Sequence, residues 1–296
     1  RLRYTGTMNA AFQRLPENAP GDWYVDAACI DCTTCTWVAP DVFAQGDGAS
    51  HVHRQPADAP ARLRAAMAML ACPVAAIGSV GKPDLAPARA AFPERIDGPV
   101  HHCGWHAAAS FGAASYLVLR ADGNILVDSP RFTPALAGRI EALGGIALMF
   151  LTHRDDVADH ARFAARFGCR RIMHRGDIGA ATRDVEEVFD GSEACELAPG
   201  IVAIPVPGHT RGSACLLVDD TWLFTGDHLV WDPAIGGLAA RRDVCWYDWN
   251  VQTASMARLR DYRFEWVLPG HGHRGHLPAA AMRRSLAACV ARMRAA

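Results

Sequence analysis

Four cysteines constrain this chain more than any other feature: Cys29-x2-Cys32-x2-Cys35, then Cys72-Pro73 after 36 intervening residues. The two-residue spacers let one loop present three thiolates around a shared point. Cys72 brings a fourth from a distant element. Four soft thiolates in this arrangement suit a cubane iron–sulfur cluster, one thiolate per iron. A four-cysteine zinc site more often shows two Cys-x2-Cys pairs. No thioredoxin-like unit surrounds the triplet, which argues against a redox Cys-x-x-Cys. Every cluster position is a cysteine, which favours [4Fe-4S] over [3Fe-4S].

The triplet and the remote Cys-Pro resemble the single-cluster bacterial ferredoxins over residues 20–82. The resemblance implies a ferredoxin-like [4Fe-4S] domain held by Cys29, Cys32, Cys35 and Cys72, with an electron-transfer partner for the cluster. The other six cysteines, Cys103, Cys169, Cys195, Cys215, Cys245 and Cys289, lack metal-ligand spacing. They are expected as small buried core residues.

Length and composition set the outer bounds. A chain of 296 residues suggests about two domains. Half the residues are hydrophobic, 21% are charged and the net charge is −1, a globular composition. Without a basic surplus there is no electrostatic footprint for nucleic acid. The runs 65–81 and 98–119 lack Asp, Glu, Lys and Arg, but Pro73 breaks the first and Pro99, Gly104 and Gly112 the second. Neither reads as a membrane span. The opening residues lack the apolar stretch of a secretory signal, and Met8 is read as the native start. A cytoplasmic protein with reduced thiols is expected.

The chain divides by pattern. Residues 23–25 and 50–53 read as short strands and 61–71 as a helix. Residues 83–99, rich in Pro, Ala and Arg without periodicity, read as a linker. From residue 115 a hairpin with an Asp-Gly turn is expected, 116–119 pairing with 125–127. Thr133-Pro134 opens a helix closed by Gly144, and 157–167 is a helix closed by Gly168. Strands are expected at 146–151, 171–173, 201–206, 214–218, 222–224 and 266–268. Helices are expected around 252–259 and 279–294. Many strands with interspersed helices indicate a sheet core covered by helices.

Three histidines follow expected strands: Thr152-His153-Arg154-Asp155-Asp156, Pro207-Gly208-His209-Thr210 and Pro269-Gly270-His271-Gly272. Thr225-Gly226-Asp227 lies between the last two. Strand ends converge on one rim of a sheet, and glycines let the chain turn so that the imidazoles share a centre. Imidazole with carboxylate suits zinc, iron or manganese.

The ordered set resembles the metallo-β-lactamase superfamily over residues 100–296. That resemblance implies an α+β protein whose second domain is an αββα sandwich. It also implies one or two zinc, iron or manganese ions held by His153, Asp155, Asp156, His209, Asp227 and His271. Asp227 and Asp156 are the expected catalytic carboxylates, and Asp128 an expected support behind the ligands. His160, His174 and His228 are further candidates for such support.

One stretch departs from the family. The first metal motif there usually reads His-x-His-x-Asp-His; here it is His153-Arg154-Asp155-Asp156-Val157-Ala158. Aligned without a gap, Asp155 replaces the second His, and Val157 and Ala158 replace the last two ligands. Aligned with a deletion, Asp155 is the family Asp and Asp156 replaces the last His; this version is preferred. The carboxylate-rich set shifts preference towards iron or manganese.

His101, His102 and His106 suggest packing between domains. Trp246-Tyr247-Asp248-Trp249 reads as a helix start or as an apolar wall for a substrate. The leading functional expectation is hydrolysis of a small ester, thioester or lactone by a metal-bound hydroxide. The alternative is an oxidoreductase whose cluster feeds electrons to iron at the His/Asp site. A third is a redox sensor with a degenerate metal site. A small-molecule substrate is implied by the first two; neither nucleic acid nor membrane is.

Overall fold

The computed structural model describes residues 13–296, so the Met8 start lies outside the described residues. The cysteine-bearing module is built from two small antiparallel ribbons. Trp23–Val25 pairs with Ile77–Ser79, and Phe43–Gln45 pairs with Ser50–Val52. The helix Ala59–Ala71 begins where the Asp58 carboxylate accepts the Ala61 N–H at 2.8 Å, with Pro60 in its first turn. It stops at Cys72 because Pro73 disfavours helical geometry in the residue before it. The helix end therefore delivers the Cys72 thiol towards the cysteine loop. In that loop Asp31 and Thr33 take positive φ angles of 55° and 59°, which turn the chain between the cysteines.

The rest of the chain forms two facing sheets with helices outside. The first sheet has seven strands, in the order Glu187–Phe189, Arg170–His174, Leu148–Leu151, Ile125–Val127, Tyr116–Val118, Val100–His102 and Glu94–Asp97. The second has six: Cys195–Ala198, Ile201–Pro205, Ala214–Val218, Trp222–Gly226, Trp266–Pro269 and Gly275–His276.

Residue alternation assigns the layers. Tyr116, Val118, Phe150 and Ile172 of the first sheet meet Ile201, Leu216 and Phe224 of the second. The intervening Leu117, Met149 and Met173 face Leu136, Ile140 and Phe163 of the helices Pro134–Ala142 and His160–Phe167. On the far side Cys215, Leu217 and Val267 face Met256 of the helix Trp249–Arg258 and Met282 and Leu286 of Ala279–Ala295. This is the αββα sandwich. Phe150 is fully buried between the sheets, a position where truncation to alanine costs about 3–5 kcal/mol.

The cysteine module packs on the first sheet's helical side and shares one apolar cluster with it. Trp37 meets His102 edge to face, with ring centroids 5.0 Å apart, and carries the Arg274 guanidinium 4.3 Å above its ring. His102 and His106, both fully buried, share a 2.8 Å Nε2–Nε2 hydrogen bond at this contact. Gly112 lies against the cysteine loop so closely that a Cβ there would meet Cys32 Cβ at 2.8 Å.

Three expectations need correction. Residues 83–99 are not an irregular linker: they hold the helix Ala86–Ala91 and the edge strand Glu94–Asp97, which pairs with Val100–His102. The helix expected from 157 begins at His160, after a loop that buries Asp156 and leaves Asp155 exposed. Of the six cysteines outside the cluster motif, Cys103, Cys169, Cys215 and Cys289 are buried, but Cys245 is half-buried and Cys195 is exposed on an edge strand. Among the described residues no helix is long and apolar enough to cross a membrane.

Candidate metal centre and cluster loop

Four strand ends build the His/Asp centre. Leu148–Leu151 leads into His153, Ile201–Pro205 into His209, Trp222–Gly226 into Asp227 and Trp266–Pro269 into His271. Two groups of ligand-type atoms lie close enough for one ion each: His153, His209, Asp227 and Asp156, Asp227, His271. Asp227 belongs to both. Its Oδ2 is 3.7 Å from His153 Nε2 and 3.8 Å from His209 Nε2. Ligand atoms about 2.1 Å from one ion stand roughly 3–4 Å apart, so these spacings fit.

Two of the three histidines are oriented from behind. The single Thr152 hydroxyl hydrogen goes to the Asp128 carboxylate at 2.9 Å, so this oxygen accepts the His153 Nδ1–H at 3.0 Å. Asp128 also accepts the Thr152 N–H at 2.8 Å. The His209 Nδ1–H donates to the Val244 carbonyl at 2.6 Å. Both bonds leave Nε2 as the bare acceptor facing the centre. The Nε2 atoms of His153, His209 and His271 and both Asp156 oxygens are buried without a hydrogen-bond partner. Buried polar atoms are rarely left so. Divided between the two groups, they fit bound cations, and this donor set of imidazole and carboxylate suits iron, manganese or zinc.

Charge in the centre is tightly linked. Burial pushes Asp156 well above the usual carboxylate range, and the Asp227 charge adds to it. Burial holds the His153 imidazole down at about 4. His271 goes the other way: burial alone would lower it, but the Asp227 carboxylate lifts it to about 10. Without a metal ion, His271 carries the cation that balances Asp227.

Neither sequence alignment describes the His153–Asp156 turn alone. Asp155 Oδ2 is 3.5 Å from His209 Nε2 and 4.0 Å from His153 Nε2, beside the first group as the ungapped reading has it. Asp156 joins the second group instead, one residue sooner than an ungapped motif would supply a carboxylate. Gly270 makes room for it, since a Cβ there would meet Asp156 Oδ2 at 2.4 Å.

The other candidates are placed differently. His160 uses Nε2 on the Ala181 carbonyl at 3.1 Å and Nδ1 on Arg171 at 3.2 Å, so its ring supports the helix end rather than the ligands. His174 bonds Gly191 O and Gly176 N, bracing a turn rather than touching a ligand. His228 is buried beside Asp227, with both ring nitrogens unpartnered. Sequence reading missed Asp177, a buried carboxylate behind His153 and His209. Its partners are scattered over 58 positions, from Arg154 to Gly212, and no motif marks it.

Cys29, Cys32, Cys35 and Cys72 line one small cavity inside the module. None of the four is in a disulfide. Burial raises Cys32 and Cys72, and pushes Cys35 up to about 12. Bare thiolates are disfavoured there, so the ionised form needs a bound cation. The Ala76 N–H already points at Cys72 Sγ, at 3.3 Å. These four sulfurs fit the iron–sulfur cluster that the spacing predicts.

The two regions meet at one pocket of about 790 Å³. Asp155, Asp156, His209, Asp227 and His271 form its floor. Ile30, Asp31, Cys32 and Thr33 of the cysteine loop form part of its wall. Phe111, whose ring centroid is 6.2 Å from that of His271, and Trp246 supply apolar faces. The aromatic stretch thus splits: Trp246 faces the pocket, while Asp248 caps the helix Trp249–Arg258 through the Val251 N–H at 2.9 Å.

Comparison with known proteins supports both halves. Residues 25–79 match the family described as the 4Fe-4S single cluster domain of Ferredoxin I. No curated protein matches the chain. Among solved structures, VMB-1 is 16% identical with a TM-score of 0.50, covering 69% of this chain and 97% of its own. The DIM-1 metallo-β-lactamase is 14% identical with a TM-score of 0.50, covering 67% and 96%. ETHE1 from Myxococcus xanthus is 18% identical with a TM-score of 0.48, covering 65% and 84%. The chain therefore joins a single-cluster ferredoxin-type segment to a unit with the metallo-β-lactamase fold.

Proposed function

We propose that the chain is a metal-dependent hydrolase acting on a small ester, thioester or lactone bound in the pocket above Asp227. The observation that carries this reading is the pair of ligand groups sharing Asp227, whose members Asp156, His209, Asp227 and His271 line the pocket. A metal ion held by His153, His209, Asp227 and Asp155, with or without a second on Asp156 and His271, would polarise a carbonyl and make water acidic near neutral pH. The protein's own part is orientation and proton handling. Asp128 and Thr152 fix the His153 ring, and Val244 fixes that of His209. Asp156, held above the usual carboxylate range by burial, is the group placed to take or give a proton at the floor. Phe111 and Trp246 shield the apolar part of a substrate.

The test is turnover of thioesters, lactones and phosphoesters by metal-replete protein, with and without chelator. Chelator-sensitive hydrolysis supports the proposal; its absence across the panel overturns it.

One observation favours a second reading. The cysteine loop is a wall of the same pocket, and hydrolysis moves no electrons. An oxidoreductase in which the cluster passes electrons to iron at the His/Asp centre would use that arrangement. The carboxylate-rich donor set, three aspartates with three histidines, also suits iron. Metal analysis of anaerobically purified protein separates the two: zinc at the centre removes the redox reading, and iron that is reduced through the cluster supports it.

A further inference from the structure

The ligand-bearing loops at His153 and His209 come from different strands, yet their imidazoles lie 4.8 Å apart, ring centre to ring centre. Between their backbones stands Asp177, only 2% exposed. Its Oδ2 accepts the Arg154 N–H at 3.0 Å, one residue after His153. The same oxygen accepts the Thr210 hydroxyl at 2.5 Å, one residue after His209. Its Oδ1 accepts the Gly212 N–H at 2.8 Å. Gly212 permits this approach, since a Cβ there would meet the Asp177 nitrogen at 2.4 Å.

We propose that Asp177 is a positioning residue that locks the His153 and His209 loops into a single ligand set for the first ion. The proposal rests on the reading of His153, His209 and Asp227 as holders of that ion. Three donors converge on Asp177 and none is cationic, so these contacts leave its negative charge unbalanced. A buried carboxylate without a countercharge is costly. A cation at the neighbouring His153/His209 group would supply that balance. An amide cannot replace the carboxylate, because its NH2 would point at one of the three donors.

Supporting groups of this kind change metal affinity by about 10–100-fold. The experiment uses the full chain with its cluster intact and the His/Asp centre stripped by chelator, titrated with zinc against a competing chelator. Asp156→Asn provides a background with only the first group complete; His209→Ala leaves the second. Asp177→Asn is expected to weaken zinc binding about 10–100-fold in the first background and to leave it unchanged in the second. Equal affinity with and without Asp177→Asn in the Asp156→Asn background overturns the proposal, as does an equal loss in both backgrounds. If the unsubstituted chain takes up no zinc or iron, the ligand reading fails and the proposal with it. Should Asp177→Asn not fold, Thr210→Val removes one of the three bonds. It should then lower first-group affinity more than it lowers Tm in the stripped protein; an unchanged affinity overturns the proposal.

Discussion

His271 Nδ1 lies 2.8 Å from one carboxylate oxygen of Asp227 and 3.0 Å from the other. This contact raises His271 from 6.5 to about 10 and holds Asp227 below its ordinary range. A raised histidine stabilises the folded chain fully below its unfolded value and loses that contribution as pH rises through its folded one. The window is therefore roughly 6.5 to 10. Asp156, also raised, adds loss in the same direction. Metal-stripped protein should melt at progressively lower temperature across that window, and His271→Gln should flatten the curve. A flat profile in the unsubstituted stripped protein would show that the ion pair does not form.

The same protons oppose metal. Binding at Asp156, Asp227 and His271 must displace those on His271 and Asp156. Affinity of the second group should therefore rise with pH between about 6 and 9, with proton release measurable by calorimetry in buffers of different ionisation enthalpy. Proton-neutral binding would contradict the assignment.

Asp155 offers a test of metal choice. It stands beside His209 and His153, where the family motif read without a gap has a histidine. Exchanging a carboxylate for an imidazole softens the donor set and moves preference from iron or manganese towards zinc. Asp155→His, produced with both metals supplied, should raise the zinc-to-iron ratio at the centre relative to the unsubstituted chain, measured against an unchanged sulfide count. An unmoved ratio would mean that Asp155 does not ligate.

The ease of reading this chain follows the range of its interactions. The gathering of Cys29, Cys32, Cys35 and Cys72 around one cavity was legible because three of them lie within seven residues and the fourth is marked by Pro73. The convergence of His209, Asp227 and His271 was legible because each lies within four residues of the end of a strongly apolar strand. The strands Glu94–Asp97, Glu187–Phe189 and Cys195–Ala198 were not: they are short, polar and at or near sheet edges, where no apolar alternation is needed. Asp155 and Asp156 could be named but not assigned, because a one-residue slip exchanges their partners and only the folded turn fixes it. Asp177 was invisible because its role is defined by three backbone and hydroxyl donors contributed by two other loops.

The cluster assignment separates cleanly from simple thiol burial. Cys72 and Cys103 are both buried, at 9% and 0% exposure, but only Cys72 lines the cavity shared with Cys29, Cys32 and Cys35. Removing one of four thiolates takes away an iron ligand, whereas removing Cys103 takes away only packing and costs about 1 kcal/mol. Cys72→Ala should therefore lose most acid-labile sulfide and the visible iron–sulfur absorbance after anaerobic purification. Cys103→Ala should retain both with a slightly lower Tm. Ferredoxin-type iron ligation also demands that Cys29→Ala, Cys32→Ala and Cys35→Ala behave like Cys72→Ala rather than like Cys103→Ala. A full sulfide count in any of those four would remove that cysteine from the cluster.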